Sequence, residues 1–255
     1  MTLLDIFHYQ GRGQPIGGAA TQTYQEKVLT IQPSNLILYH PMNELTGSTA
    51  TDQSAEGNDG SYTGVTLANI LGPDGVNYAP FFDGANDFND FYSAGFNSDY
   101  SGTEGTMAIW CKVTNSGVWT DGENRRGMFF GNTGYTNIVS LAKSGNNNEF
   151  TFVYKAANGD TVSVTKSSLT TTAWFHVAIT WSDSGNVVKA YYNGTQEGSD
   201  QAMTDTWNGT LNSDYCNIGC RNNDVPDKMW DGYLAHGAIW KTALTDAEIA
   251  TLADT

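Results

Sequence analysis

The chain has 255 residues and a formal net charge of −15, with 27 acidic side chains against 12 lysines and arginines. This charge argues against nucleic acid or an anionic membrane as partner, because both attract clustered basic residues. The chain is rich in glycine (28), tyrosine (13), phenylalanine (11) and tryptophan (7), which is typical of a β-sandwich.

Residues 1–33 are predicted to form an N-terminal arm followed by a short helix. The apolar side chains at the start of the arm are Leu3, Leu4, Ile6 and Phe7. A glycine-rich stretch follows them, and an apolar segment on such a flexible tether is typical of assembly contacts. Residues 21–32 can form about two turns of helix before Pro33 ends it, with Tyr24, Val28 and Ile31 on one face.

Residues 34–255 are predicted to form one all-β domain. Eleven segments rich in β-branched and aromatic residues are, in order, LILYHPM, YAPFFD, TMAIWCKV, RGMFFG, NIVSLAK, EFTFVYKA, TVSVT, WFHVAITW, VVKAYYNG, YCNIGC and GYLAHGAIW. Short strands separated by Gly, Asn and Asp turns predict an antiparallel two-sheet sandwich. A short helix should follow near the C-terminus, with Thr245 as its N-cap and Glu248 completing a capping box.

Two loops combine small residues with oxygen-bearing side chains. Residues 49–64, TATDQSAEGNDGSYTG, have neither a strand pattern nor a helix pattern. Their composition indicates either a tight turn or a site for a hard cation. The segment DGANDFND leaves the same two alternatives open; its polar residues are Asp83, Asn86, Asp87 and Asp90.

The order of several segments resembles that of laminin-G-like, or concanavalin A-like, jelly-roll domains. These segments include FFDGANDF, TMAIWCKV, WFHVAITW, AYYNG and WDGYLAHGAIWKTALTDAEIATL, and the resemblance extends over residues 35–252. It implies a two-sheet jelly roll that binds carbohydrate or protein, often with calcium. The segments NDGSYTGVTLANI and VWTDGENRRG resemble modules from bacterial viruses.

The resemblance also implies a place for calcium, the one candidate cofactor. In such domains residues corresponding to 52–60 often contribute ligands, together with an Asp-Glu pair in the closing strand, where this chain has Ala235 and His236. A weaker site remains available because calcium also accepts carbonyl and water oxygens. Its candidate ligands are Glu44, Asp52, Asn58 and Asp231. The alternative is a turn held by Asx hydrogen bonds.

Binding is favoured over catalysis. A jelly-roll glucanase carries alternating carboxylates on one strand face, and no predicted strand has them, so the chain is expected not to be an enzyme. Sugar-binding faces combine aromatic rings with polar side chains. The candidates in turn-like contexts are Trp119, Asp121, Arg125 and Trp207. Burial in the core is the alternative for both tryptophans.

Two functions from different classes follow. The first is a non-enzymatic virion structural protein, a capsid decoration or tail-associated accessory. Its arm would bind other virion proteins or a second copy, and its jelly roll would face outward toward host glycans. The second is a free carbohydrate-binding lectin; a glycoside hydrolase of the same fold is a third reading. No apolar run is long enough for membrane insertion, and the N-terminus lacks secretory-signal features, so assembly in the host cytoplasm is expected.

Overall fold

The computed structural model describes residues 22–157, 161–203 and 205–255, which form two antiparallel sheets and three short helices. Sheet A contains β1 (Leu36–His40), β4 (Thr66–Leu71), β5 (Tyr78–Asp83), β7 (Glu104–Val113), β12 (Phe175–Ser182), β13 (Val187–Tyr192), β14 (Thr195–Gln201) and β16 (Asp231–Trp240). Sheet B contains β2 (Thr49–Ala50), β3 (Gly60–Thr63), β6 (Phe88–Asp90), β8 (Arg125–Gly131), β9 (Ile138–Lys143), β10 (Phe150–Lys155), β11 (Thr161–Lys166) and β15 (Cys216–Ile218). The helices are α1 (Tyr24–Thr30), α2 (Ala94–Asp99) and α3 (Asp246–Leu252).

The strand order confirms the predicted jelly-roll sandwich. In sheet A it is β14-β13-β12-β7-β16-β5-β4, and in sheet B it is β11-β10-β9-β8-β15-β6-β3-β2. Strand β16 is paired along one edge by β7. On its other edge β5 pairs with its first residues and β1 pairs with its last ones. Strands distant in sequence therefore become neighbours, as Greek-key connections require.

The middle strands of sheet A are buried on both faces. In β7, Met107, Ile109 and Cys111 point into the core between the sheets, whereas Ala108 and Trp110 point to the opposite side. That outer side is covered by α1 and α3 and forms a second apolar cluster. Since successive side chains of a strand alternate between faces, burial on both sides explains the nearly continuous apolar sequence of the middle strands, such as β7 and β12.

Both terminal helices begin with a capping box. The Thr23 hydroxyl accepts a hydrogen bond from the Glu26 backbone N–H and Glu26 bonds back to Thr23; Thr245 and Glu248 repeat the arrangement at α3, as predicted. The apolar face predicted for α1 is confirmed, since Tyr24, Val28 and Ile31 are buried against sheet A. No helix in the described part of the chain is long and apolar enough to span a membrane.

All eleven predicted strands are present, and five more were missed. The expectation that residues 49–64 contain no strand was wrong, because β2 and β3 both lie there. These edge strands are two and four residues long, and the pairing of β3 with β6 determines their conformation rather than any alternation of their own side chains. The assembly residues Leu3, Leu4, Ile6 and Phe7 lie outside the described residues.

The Tyr24 hydroxyl joins three elements of the fold. It accepts a hydrogen bond from Trp110 Nε1 at 2.8 Å and donates one to the Leu252 carbonyl at 2.7 Å. Tyr24→Phe should lower the free energy of unfolding by about 1–3 kcal/mol, because it leaves buried polar groups on β7 and α3 without a partner. Chemical denaturation measures the change. Tyr78→Phe, at a side chain that is 46% exposed, is the control and should have little effect; equal stabilities would contradict the prediction.

Candidate functional site

The loop after β1 folds around the Asp52 carboxylate. Its Oδ1 accepts hydrogen bonds from the backbone N–H groups of Tyr39 at 2.8 Å and Ser54 at 2.9 Å. Its Oδ2 accepts from Ser54 Oγ at 2.6 Å and from the Asn58 N–H at 2.7 Å. Four protein donors thus surround the carboxylate. This is the arrangement of the Asx-turn alternative.

The neighbouring candidate ligands are bonded within the protein too. Glu44 accepts hydrogen bonds from the Thr51 N–H and the Tyr62 hydroxyl, both at 2.8 Å, and Asn58 Oδ1 accepts from Ser93 Oγ at 2.5 Å. Among the described residues there is no group of three or more His, Cys, Asp and Glu side chains placed to hold a metal ion. Calcium binding by this loop stays a prediction, and a cation there would have to displace these donors.

Asp231 does not belong to the same site as Asp52. Tyr39, whose N–H binds Asp52, pairs with Ala238 of β16, and Asp231 lies seven residues earlier in that strand, roughly 20 Å away at ~3.3 Å per residue. The Asp231 carboxylate instead accepts a hydrogen bond from the Thr114 hydroxyl and lies 4.0 Å from Arg125. Its assignment to the calcium set was wrong, because an extended strand separates the two positions.

The closing-strand positions implied by the resemblance lie beneath α1. Ala235 is buried, and His236 Nδ1 lies 2.9 Å from the Tyr39 hydroxyl with its ring 4.5 Å from that of Tyr24. Burial lowers the pKa of His236 to about 4, so the imidazole is neutral at physiological pH. These positions supply packing and a neutral hydrogen bond where the resemblance implies two acids.

The second acidic segment forms a turn between β5 and β6. Asp87 Oδ2 accepts a hydrogen bond from the Asp83 N–H at 2.9 Å, and Asp83 Oδ1 accepts one from the Ala85 N–H at 2.8 Å. These local hydrogen bonds are those expected for a turn held by its own carboxylates rather than by a cation.

The prediction that Trp119 and Trp207 are exposed platforms for a sugar was wrong. Trp119 is fully buried and donates its Nε1–H to the Thr171 carbonyl at 2.7 Å. Trp207 is 6% exposed, and its ring lies 5.1 Å from Tyr100 and 5.7 Å from Phe130 in the core between the sheets. The polar residues around each tryptophan in sequence suggested exposure, but burial of a large aromatic ring is strongly favourable.

Asp121 and Arg125 do lie together, within an internal network of charges. Asp121 accepts hydrogen bonds from Lys143 Nζ at 2.6 Å and from Arg125 Nε at 2.9 Å, while Arg125 also donates to the Met229 carbonyl. Burial by itself would raise the pKa of Asp121, but these hydrogen bonds lower it below its ordinary value. Because the Lys143 side chain is fully buried, Asp121 serves first as its counter-ion.

A different set of side chains lies on the outer face of sheet B. Asn217, Phe129 and Ser140 are cross-strand neighbours on β15, β8 and β9, and all three are at most 1% exposed. Their neighbours along each strand point into the core, so alternation places these three on the opposite side. The Ser140 Oγ and Asn217 Oδ1 atoms have no hydrogen-bond partner among the described residues.

Aromatic and cationic side chains lie over this row. Tyr135 contacts Phe129 with ring centroids 6.3 Å apart and stacks on Tyr215 at 4.6 Å with an interplanar angle of 27°. The Arg221 guanidinium lies 4.9 Å from the Tyr135 ring centre, and that of Arg126 lies 5.8 Å from the Phe129 ring centre. We call this group the outer-face cluster: Arg126, Phe129, Tyr135, Ser140, Tyr215, Asn217 and Arg221.

Electrostatics keep Tyr135 neutral. Burial, followed by the hydrogen bond with Tyr215, raises the pKa of Tyr135 to about 12. Both tyrosine rings are half-buried, so each keeps part of its surface exposed. On the neighbouring strand, burial raises the pKa of Asp90, the cross-strand partner of Asn217, and Asn223 hydrogen-bonds to it.

The outer-face cluster combines the kinds of side chain that bind small polar ligands in proteins. Aromatic faces pack on C–H groups, while Arg, Asn and Asp side chains bind hydroxyls. The sequence contained a signal for it. Ser140 in NIVSLAK and Asn217 in YCNIGC are polar residues within apolar strands, at positions that face away from the core. The pairing of β8, β9 and β15 that brings them together was not predictable from local pattern.

The family model described as the concanavalin A-like lectin/glucanases superfamily, Laminin_G_3, matches residues 83–250, more than half of the chain. The chain belongs to this superfamily. The matched region contains all seven residues of the outer-face cluster, whereas the Asp52 loop precedes it. No curated protein matches the chain.

Solved structures share the concanavalin A-like fold at low sequence identity. The receptor-binding domain of botulinum neurotoxin mosaic serotype C/D is 13% identical with a TM-score of 0.66, and the match covers 87% of this chain and 51% of that one. Domain 4 of an extracellular arabinanase from Geobacillus stearothermophilus, solved with arabinotriose, is 18% identical with a TM-score of 0.61, covering 86% of this chain and 98% of that one. The chain therefore spans about half of the toxin domain and nearly all of the arabinanase domain.

Replacing Asp52 tests whether its carboxylate stabilises the loop through hydrogen bonds or through a bound cation. Asp52→Ala should lower the free energy of unfolding by about 2–4 kcal/mol, equally in EDTA and in millimolar calcium, because the buried N–H groups of Tyr39 and Asn58 lose their acceptor in both. Thermal and chemical denaturation measure the change. Glu56→Ala, at an exposed side chain in the same loop, is the control. A calcium-dependent stabilisation of the wild type that Asp52→Ala abolishes would instead establish a cation site.

Proposed function

We propose that the chain is a non-catalytic carbohydrate-binding module that holds a glycan on the outer face of sheet B. The observation that carries this proposal is the pair of stacked, half-buried rings of Tyr135 and Tyr215 above two buried polar atoms without partners, Ser140 Oγ and Asn217 Oδ1. Buried polar groups in folded proteins nearly always have a partner, so these two atoms have unused bonding capacity for a hydroxyl or an ordered water that enters beneath the rings.

The chemistry of the cluster fits a sugar better than an apolar ligand. Pyranose and furanose rings combine C–H faces with hydroxyl edges, which match aromatic faces flanked by Arg, Asn and Asp side chains. Superfamily membership is consistent with such a role, and the arabinotriose complex of the arabinanase domain is an example of the same fold solved with an oligosaccharide.

A binding role without turnover is also supported by the placement of the acids. Glycoside hydrolysis requires two carboxylates that flank the bond to be cleaved. Near the cluster, Asp227 is bonded to Arg221, and Asp90 accepts a hydrogen bond from the Tyr92 N–H at 2.9 Å. The ion pair with Arg221 keeps Asp227 from serving as a free acid–base group.

Truncation of one ring of the half-buried aromatic pair tests the proposal. Tyr215→Ala should weaken glycan binding by about 1–3 kcal/mol, because one stacking surface is lost and Tyr135 loses its partner. A glycan array identifies bound sugars, and calorimetry with one of them measures the affinity. Tyr78→Ala, at an exposed tyrosine on β5, is the matched control and should bind as the wild type does. Absence of binding to any glycan would refute the module, and release of reducing ends would refute its non-catalytic character.

A location in a virion remains part of the proposal. The reason is the sequence of residues 1–20, which combines apolar side chains with a glycine-rich stretch. Such a segment suits contact with other virion proteins or a second copy. A free lectin is the alternative, and the two differ in whether the arm is needed for assembly.

Deletion of residues 1–20 distinguishes these alternatives. For a virion protein, the truncated chain should fold with an unchanged melting temperature yet fail to enter particles or oligomers, because the apolar contacts of Leu3, Leu4, Ile6 and Phe7 are lost. Sedimentation and particle composition measure the outcome. The variant with all four changed to Ser is the control for chain length. Normal incorporation of both variants would exclude the assembly role.

A further inference from the structure

Arg126 differs from the other arginines of the described residues because it has no carboxylate partner. Arg125 is bonded to Asp121, and Arg221 makes two hydrogen bonds to Asp227. The Arg126 side chain makes neither a salt bridge nor a hydrogen bond within the described ranges, and its Nε atom is buried without a partner. A guanidinium has five N–H donors in a planar fork, so most of its bonding capacity is unused here.

Two further cations lie close to Arg126. The Arg126 backbone N–H donates to the Lys228 carbonyl at 2.8 Å, which places the two residues side by side. Burial and then the charge of Arg221 lower the pKa of Arg126 to about 10, and burial and then Arg126 lower that of Lys228. Arg126 remains protonated at neutral pH. Among the described residues, the Asp227 carboxylate is hydrogen-bonded to Arg221 alone, although its charge also attracts Arg126 and Lys228.

The guanidinium is placed beside the aromatic rings. Arg126 and Tyr135 both contact the Phe129 ring, at 5.8 and 6.3 Å. A sugar that lies against Tyr135 and extends over Phe129 would bring a ring substituent to Arg126. A carboxylate is the group whose two oxygens match the guanidinium fork, and such charge-assisted pairs are stronger than neutral hydrogen bonds.

We propose that Arg126, with Lys228 beside it, binds a carboxylate carried by the sugar, so that the ligand is an oligosaccharide with a uronic or similarly acidic residue. This inference rests on the proposed function and specifies its ligand class. The net charge of the chain does not oppose it at physiological salt, because screening over about 8 Å leaves the local pair to decide. A ligand with isolated carboxylates suits the site better than a dense polyanion, which the acidic surface would repel.

The experiment compares each acidic oligosaccharide with its own carboxyl-reduced form. Oligogalacturonides and glucuronate-containing oligosaccharides, their reduced forms and neutral arabinotriose are titrated against the wild type, Arg126→Met, Arg126→Lys and Tyr215→Ala. Lys155→Met is the matched control, since Lys155 lies on the same face of sheet B two strands away. Melting temperatures establish that each variant is folded.

The wild type should bind the acidic forms more tightly than the reduced forms by on the order of tenfold or more. Arg126→Met should remove that preference, Arg126→Lys should keep part of it, and Lys155→Met should leave it intact. Three results would overturn the inference but not the carbohydrate-binding function. They are equal binding of acidic and reduced forms, a preference for acidic forms that survives Arg126→Met, and binding of sulfated but not carboxylated sugars. Failure of the wild type to bind any glycan on a broad array is the separate result that refutes the proposed function.

Discussion

Burial of sheet A on both faces is the constraint on which the rest of the structure depends. One face packs against sheet B around residues such as Met107 and Ile109, and the other carries α1 and α3 over Trp110 and Trp240. The side chains of the middle strands of sheet A therefore pack inside the protein on both faces. Sheet B is buried by sheet A on one face only, so its outer face is where polar and aromatic side chains can meet a ligand.

Charged side chains are paired in the ion network around Lys143, whereas Arg126 on the outer face of sheet B has no ion-pair partner among the described residues. Lys143, Asp121 and Arg125 form a compact ion network in which each charge has a counter-ion, and Lys143 is fully buried. A lysine in that position requires its carboxylate, because removal of one member of a buried pair leaves an uncompensated charge. One residue further along, Arg126 lies on the outer face without a carboxylate. Two adjacent arginines thus differ in role because the strand directs them to different surroundings.

The Asp52 loop matches only part of the calcium site that the resemblance to concanavalin A-like domains implies. Its backbone encircles a carboxylate, and Tyr39 connects that carboxylate to His236, which occupies the closing-strand position implied to be acidic. With a neutral histidine there, and protein donors on both oxygens of Asp52, hydrogen bonds hold the loop in shape. The oxygen atoms that accept hydrogen bonds in this turn are also those that would bind a cation. The composition of the loop therefore could not distinguish a turn from a cation site.

The sequence by itself determined the fold class, the eleven main strands and the capped C-terminal helix, because alternation and capping are local patterns that each segment carries within itself. It also favoured binding over turnover, because no predicted strand carries alternating carboxylates. Tertiary structure decided which residues meet. Trp119 and Trp207 are buried in the core, and an extended strand separates Asp231 from Asp52. Asn217, on a strand far along the chain, lies in one row with Phe129 and Ser140 of two consecutive strands. The physical reason is that strand order and register are set by the packing of whole sheets, which no single segment encodes.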